Sequence, residues 1–294
     1  MASTLLKSAR LTSRIPRFLA SSRRLASSFV ETEQKGKVLV VSINRPEKRN
    51  AINTETATEL VECFHSFEID DSSAVAVLCG KGGYFCSGYD LEELSQRDAE
   101  DFLSKLKPPG DGNGPLGPTR LKLTKPVVGA IQGHAVGGGL ELALMCDLRI
   151  AEESTVFGFF NRRFGVPLLD GGAVRLPYII GLSRALDLIM TGRAVHSDEA
   201  LHIGLANRVV PNGSAVEEAI KLATQISKFP QDALKADRKT AFYSAYNADS
   251  FYDALTYEYR KGVKLPTIKD SIAGAQKFQS GIGKKGSFEE WLDH

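Results

Sequence analysis

The chain has 294 residues, enough for one large domain or two modest ones. Its 43% apolar and 24% charged residues are ordinary for a soluble globular protein. The formal charge of +2 is unevenly placed: Lys7, Arg10, Arg14, Arg17, Arg23 and Arg24 stand in an acid-free first 30 residues, leaving about −4 on the remainder, so the body lacks the basic balance of a nucleic-acid binder.

The first residues also hold seven serines. Leu5, Leu6, Leu11, Ile15, Phe18 and Leu19 fit one helical face, with arginines opposite. This pattern predicts a disordered mitochondrial transit peptide over residues 1–28, processing near Arg23–Ser27, and a matrix location. A basic tail with no targeting role is the alternative. The apolar runs are too short to span a bilayer, so no membrane span is expected.

After the leader, Lys37–Ile43 (K-V-L-V-V-S-I) reads as a strand. Thr54–Ile69 reads as a helix, with Ala57, Leu60, Val61 and Phe64 at helical spacing and Asn53 or Thr54 as cap. Ala74–Cys79 is a second buried strand, and Leu91–Leu94 starts a short helix. Lys107–Pro118 is rich in Pro and Gly, lacks apolar periodicity and predicts a mobile loop. Val127–Ile131, Asp147–Ala151, Thr155–Phe160 and Ala206–Val210 read as further strands. Helices are expected over Gly138–Cys146, Gly171–Ile180, Ser183–Met190, Ser197–Ile203, Ala215–Lys228, Ala233–Tyr246 and Ser250–Lys261. Alternating strands and helices followed by helices alone predict an α/β core over residues 35–230 and a helical C-terminal subdomain over 231–294.

Cys63, Cys79, Cys86 and Cys146 form no C-x-x-C pair and sit in or beside apolar runs, as buried thiols do. The five histidines show no metal-ligand spacing, so no metal site is expected. Neither G-x-G-x-x-G nor G-x-x-x-x-G-K-[ST] is present, and Ser87 lacks a G-x-S-x-G frame.

The densest chemistry lies in Gly133–Asp147, G-H-A-V-G-G-G-L-E-L-A-L-M-C-D. A glycine turn between a strand and a helix start leaves backbone N–H groups free to meet negative charge. Glu141 follows two residues after the triplet as a carboxylate in an apolar run. An anion hole beside a poorly solvated carboxylate suits proton transfer next to a carbonyl. A flexible turn, with an acid serving the helix dipole, is the plain alternative.

N-R-P-E-K-R-N-A-I-N from Asn44, F-C-S-G-Y-D from Phe85, the glycine triplet, F-G at Phe157, Gly171–Gly172 with R-L-P, and T-G-R-A-V-H-S-D-E-A-L-H-I-G-L-A-N-R-V-V-P from Thr191 occur in that order. Over roughly residues 35–290 the chain resembles the crotonase superfamily of enoyl-CoA hydratases and isomerases. The resemblance implies a repeated ββα spiral core and an acyl-CoA substrate, with CoA as part of the substrate and no separate cofactor. It also implies a homotrimer or homohexamer. By position, the N–H groups of Tyr89 and Gly138 would bind the thioester oxygen. Lys48, Arg49, Ala51, Gly88, Asp90, Leu91 and Gly137 would meet the CoA ester; solvated surface charge is the alternative for Lys48 and Arg49.

Of the two glutamates in the family's hydratases, the first is Glu141. Asn161 stands in the second place, and an amide cannot transfer a proton as acid or base. Asp170 is the nearest replacement carboxylate, with an N-cap as its alternative role. Arg162 and Arg163 are candidates to recognise a carboxylate on the acyl chain. His134 is expected to make a structural ring hydrogen bond. The resemblance therefore implies enoyl-CoA hydration or double-bond isomerisation. Decarboxylation, thioester hydrolysis, an acyl-CoA binder without turnover and a structural scaffold are the alternatives.

Overall fold

A computed structural model describes residues 29–284. The expected transit peptide, residues 1–28, and residues 285–294 of the C-terminal subdomain lie outside the described residues. In chain order the elements are β1 (Val30–Lys35), β2 (Val38–Ile43), α1 (Thr54–Ile69), β3 (Val75–Gly80), α2 (Leu91–Ser95), α3 (Ala99–Lys105), β4 (Val127–Ile131) and β5 (His134–Val136). They continue with α4 (Gly138–Met145), β6 (Leu148–Glu152), β7 (Val156–Gly158), α5 (Gly172–Ile180), α6 (Leu182–Thr191), β8 (Val195–His196), α7 (Ser197–His202) and β9 (Arg208–Val210). Four helices close the chain: α8 (Ala215–Lys228), α9 (Gln231–Tyr246), α10 (Phe251–Gly262) and α11 (Leu265–Gln279).

The main sheet runs β1-β2-β3-β4-β6-β9 and is parallel except for the β1–β2 hairpin. Side-chain alternation sorts its apolar residues into two layers. Val38 and Val40 of β2, Val75 and Val77 of β3, and Val128 and Ala130 of β4 face α8. That helix answers with Ala215, Ala219, Leu222 and Ala223, a stripe at helical spacing. Val41, Ile43, Ala76, Leu78 and Ile131 point the other way, into the larger core with α1 and α4. Both faces are covered, which is why β3 is buried along its whole length. A second sheet, β5-β7-β8, carries the chain past the start of α4.

The structure departs from the sequence expectations in several places. The sheet starts with β1, upstream of residue 35; only Val30 of that strand is buried, so it lacks an apolar alternation to announce it. Thr155–Phe160 divides into β7 and a single 3-10 turn, Phe160–Phe164. The segment Lys107–Pro118 is anchored at its end, where Leu116 is buried in the core. There Gly117 approaches so closely that a Cβ would lie 2.4 Å from the Ala57 carbonyl oxygen. The helix α3 was not expected, whereas α11 falls within the helical C-terminal subdomain expected over 231–294.

Helices α9, α10 and α11 bury no residue fully. They are tied to the core by Arg238, whose Nε donates to Asp147 Oδ1 (2.9 Å) and Nη1 to the Leu123 carbonyl (2.8 Å). No helix among the described residues is long and apolar enough to cross a membrane.

Candidate active site

Helix α4 is apolar all round and almost wholly buried, as a core helix must be. Its entry at Gly137 has φ +55, a conformation that favours glycine. Gly138 is the first helical residue, so its N–H lacks an intrahelical partner. The second turn is held by Ile52, whose N–H donates to the Gly88 carbonyl (2.8 Å) and whose carbonyl accepts from Asp90 N–H (2.9 Å). That parallel bridge turns the Tyr89 N–H to the opposite side. Neither Tyr89 N–H nor Gly138 N–H meets an acceptor among the described residues.

The two turns touch. A Cβ on Gly88, which has φ +97, would stand 2.9 Å from Gly138 N and 3.0 Å from the Val136 oxygen. One on Gly139 would lie 2.0 Å from the Cys86 oxygen. Glycines thus bring two unpaired donors side by side, the arrangement that stabilises an oxyanion.

Beside them, Glu141 Oε1 accepts from the N–H groups of Asp170 (3.0 Å) and Gly172 (2.8 Å). Burial pushes its carboxyl up to about 7, against the pull of those two donors. Asp170 is buried as well, and its Oδ1 accepts from Leu116 N–H (3.3 Å) and the Thr119 hydroxyl. Burial raises its carboxyl too, opposed by the same two donors. Asp170 is not an N-cap: Gly171 occupies that position of α5 without a side-chain cap. Each carboxyl is therefore pinned by one oxygen. Glu141 Oε2 and Asp170 Oδ2 make no hydrogen bond among the described residues and are not sealed in protein.

Both carboxyls line a cavity of about 540 Å³ together with Tyr89, Gly137 and Gly138. Its remaining wall is mainly apolar, from Leu91, Leu94, Phe102, Leu106, Leu116, Phe160 and Phe164. That volume suits a small-molecule site with a few converging polar groups.

Of the sequence-derived candidates, Glu141, Asp170, Tyr89, Gly138, Gly137 and Leu91 meet at this cavity. Gly88 shapes it from behind. Lys48, Arg49, Ala51 and Asp90 do not line it. Lys48 Nζ pairs with Glu92 at 2.5 Å, and Arg49 lies over the Tyr84 ring at 5.9 Å. Ala51 is buried with its carbonyl accepting from Arg45. Asp90 is structural: it pairs with Arg45 Nη2 (3.0 Å) and caps α2 through Glu92 N–H (3.1 Å), which occupies its carboxylate.

Two further expectations are corrected. Arg162 Nε donates to the Ile189 carbonyl, and Arg163 donates to the Gly192 carbonyl while lying over the Phe160 ring; neither lines the cavity. His134 Nδ1 is buried with no hydrogen-bond partner, where a ring hydrogen bond was expected. Asn161 does reach the cavity wall, but its Nδ2 is committed to the Val166 carbonyl (2.7 Å) and its Oδ1 is sealed and unpaired. Leu116 and Thr119, which hold Asp170, carried no sequence signal. Arg175 did, as the R of R-L-P, but with no role attached. The four cysteines are free, and burial pushes the Cys86 and Cys146 thiols up to about 12.

Residues 33–280 match the protein family described as enoyl-CoA hydratase/isomerase. The enoyl-CoA hydratase EchA19 of Mycobacterium tuberculosis is 38% identical over 255 residues, 84% of this chain and 91% of its own. The carnitinyl-CoA dehydratase of Proteus mirabilis is 37% identical over 203 residues, 68% of this chain and 75% of its own. Among solved structures, the enoyl-CoA hydratase EchA1 of Mycobacterium marinum superposes with a TM-score of 0.77 at 28% identity, covering 86% of this chain and 96% of its own.

Proposed function

The chain belongs to the enoyl-CoA hydratase/isomerase family, within the crotonase superfamily, and on that premise we propose that it hydrates a 2-enoyl-CoA thioester using Glu141 and Asp170 as its carboxyl pair. The carrying observation is that two buried carboxyls, each fixed by one oxygen and open at the other, share a cavity with two unpaired N–H groups.

The thioester oxygen accepts from the N–H groups of Tyr89 and Gly138. Charge gathers on that oxygen as water adds to the β-carbon, and preorganised donors hold it without reorganisation. Asp170, whose ionised form the Thr119 hydroxyl and Leu116 N–H favour against burial, takes a proton from the water. Glu141, poised near 7, gives a proton to the α-carbon. The water oxygen becomes the β-hydroxyl, and the Asp170 proton returns to solvent as Glu141 is recharged. No cofactor beyond the CoA of the substrate enters this scheme.

The protein is further proposed to act in the mitochondrial matrix, from the basic, acid-free leader. A homotrimer or pair of trimers would cover the apolar residues left exposed on α5, α6, α10 and α11, among them Tyr178, Leu182, Met190, Phe251 and Leu265. Its test is the solution mass by light scattering. The reaction is tested by spectrophotometric loss of crotonyl-CoA, with wild type and Glu141→Ala. Hydration that vanishes with Glu141 supports the reading. Tight CoA-ester binding without turnover of any acyl-CoA would favour a binder, the reading that Asn161 at the second carboxylate position supports.

A further inference from the structure

Arg175 is the R of the R-L-P motif, in the second turn of α5, and it does not line the cavity. Its guanidinium is half-buried yet touches no carboxylate. Nη1 donates to the Asp170 carbonyl (2.8 Å) and Nη2 to the Thr119 carbonyl (2.5 Å). Thr119 in turn donates its hydroxyl to Asp170 Oδ1, and Asp170 N–H donates to Glu141 Oε1. The contacts form a chain from Arg175 through Thr119 and Asp170 to Glu141. The approach is tight: a Cβ on Gly171 would lie 2.3 Å from Arg175 Nη1.

We propose that Arg175 is a positioning residue that clasps the Asp170 loop onto the Thr119 turn and so holds the carboxyl pair in register over the cavity. This rests on the reading of Glu141 and Asp170 as the working pair. A planar fork suits the task, because two carbonyls on separate segments are met by one rigid group. The clasp also places a permanent positive charge behind the pair. Facing it are Glu141 from α4, Asp170 from the loop, Tyr246 from α9 and the Cys146 thiol after α4; Arg120 is the other cation close to Asp170. Burial keeps the thiol and the phenol neutral, so the two carboxyls are the groups this charge acts on. It favours their ionised forms, opposing burial.

The test compares Arg175→Met, which removes donors and charge at similar length, with Arg175→Lys, which keeps the charge. For Arg175→Met, kcat for crotonyl-CoA falls by at least about 30-fold with KM nearly unchanged, because the group lost acts on proton transfer and not on binding. The acidic limb of its pH profile moves up by about one pH unit, and Arg175→Lys returns the limb toward wild type. A merely structural role lowers melting temperature and kcat without moving the limb, and would overturn the proposal. Carboxyl ¹³C NMR gives a readout independent of turnover. Glu141 and Asp170 signals, assigned by Glu141→Gln and Asp170→Asn, titrate higher in Arg175→Met; unchanged titration overturns the clasp. A wild type that fails to hydrate would overturn the proposed reaction, and the NMR titration would still decide the role of Arg175.

Discussion

Replacing Gly88 by Ala sets a methyl group against Gly138 N, one of the two donors proposed to form the oxyanion hole. At φ +97 the backbone strain of an L side chain is about 1–2 kcal/mol. The new Cβ would stand 2.9 Å from Gly138 N and 3.0 Å from the Val136 oxygen, so the two turns must part by several tenths of an ångström. Displacing one donor forfeits about 2.7–4 kcal/mol of transition-state stabilisation, or roughly 10²–10³ in kcat. Gly83→Ala is the control. It has φ +79 but no atom within 4 Å of its would-be Cβ, so it carries similar strain away from the site. Crotonyl-CoA hydration and thermal melting of both variants separate the effects. Both should melt a few degrees lower, by about 2–4 °C per kcal/mol. Only Gly88→Ala should lose the rate. A Gly88→Ala variant with kcat within about fivefold of Gly83→Ala would refute the placement of the oxyanion hole.

Glu141 links stability to pH with an unusual sign. Its carboxyl sits near 7 when folded against an ordinary 4.5, so the folded state binds the proton more tightly. The associated stability is full below 4.5, is lost as pH rises to 7, and is constant above; the whole window is worth about 3 kcal/mol. Glu141→Gln keeps an acceptor for Asp170 and Gly172 N–H without the charge. In urea melts its advantage over wild type should therefore grow between pH 4.5 and 7, while hydration drops by about 10²–10⁴; a pH-independent difference would count against the burial argument. Asp170→Asn preserves acceptance from Thr119 and Leu116, so it should keep the melting temperature and lose hydration by at least about 100-fold in the same assay. Asn161→Ala removes a sealed amide that faces no proton transfer, and kcat should change by less than about fivefold; a loss comparable to Asp170→Asn would return Asn161 to the chemistry.

Much of the fold is written in contiguous residues. The short apolar runs Val38–Ile43 and Val75–Cys79, the spacing of Ala57, Leu60, Val61 and Phe64, and the Asn53 cap are local patterns, and β2, β3 and α1 follow them. The glycine triplet before an apolar helix with one buried acid marked the turn that carries the unpaired Gly138 N–H, and Glu141, for the same reason. The strand β1 was missed because its residues after Val30 are exposed and carry no alternation.

The completion of the site is not local. Thr119 and Asp170 are 51 residues apart, and Asp170 and Glu141 are 29 apart. Whether Asp170 capped its own helix or faced the cavity depended on where the Pro/Gly segment seated Leu116 and Thr119. Asp90, one residue from the unpaired Tyr89 N–H, turned inward to Arg45 instead. Such polar choices follow from which segments burial brings together, since a buried carboxylate goes where donors remain for it. The glycine turn and its buried acid were thus legible in one stretch of chain, while the second carboxyl of the cavity emerged only when separate segments closed around it.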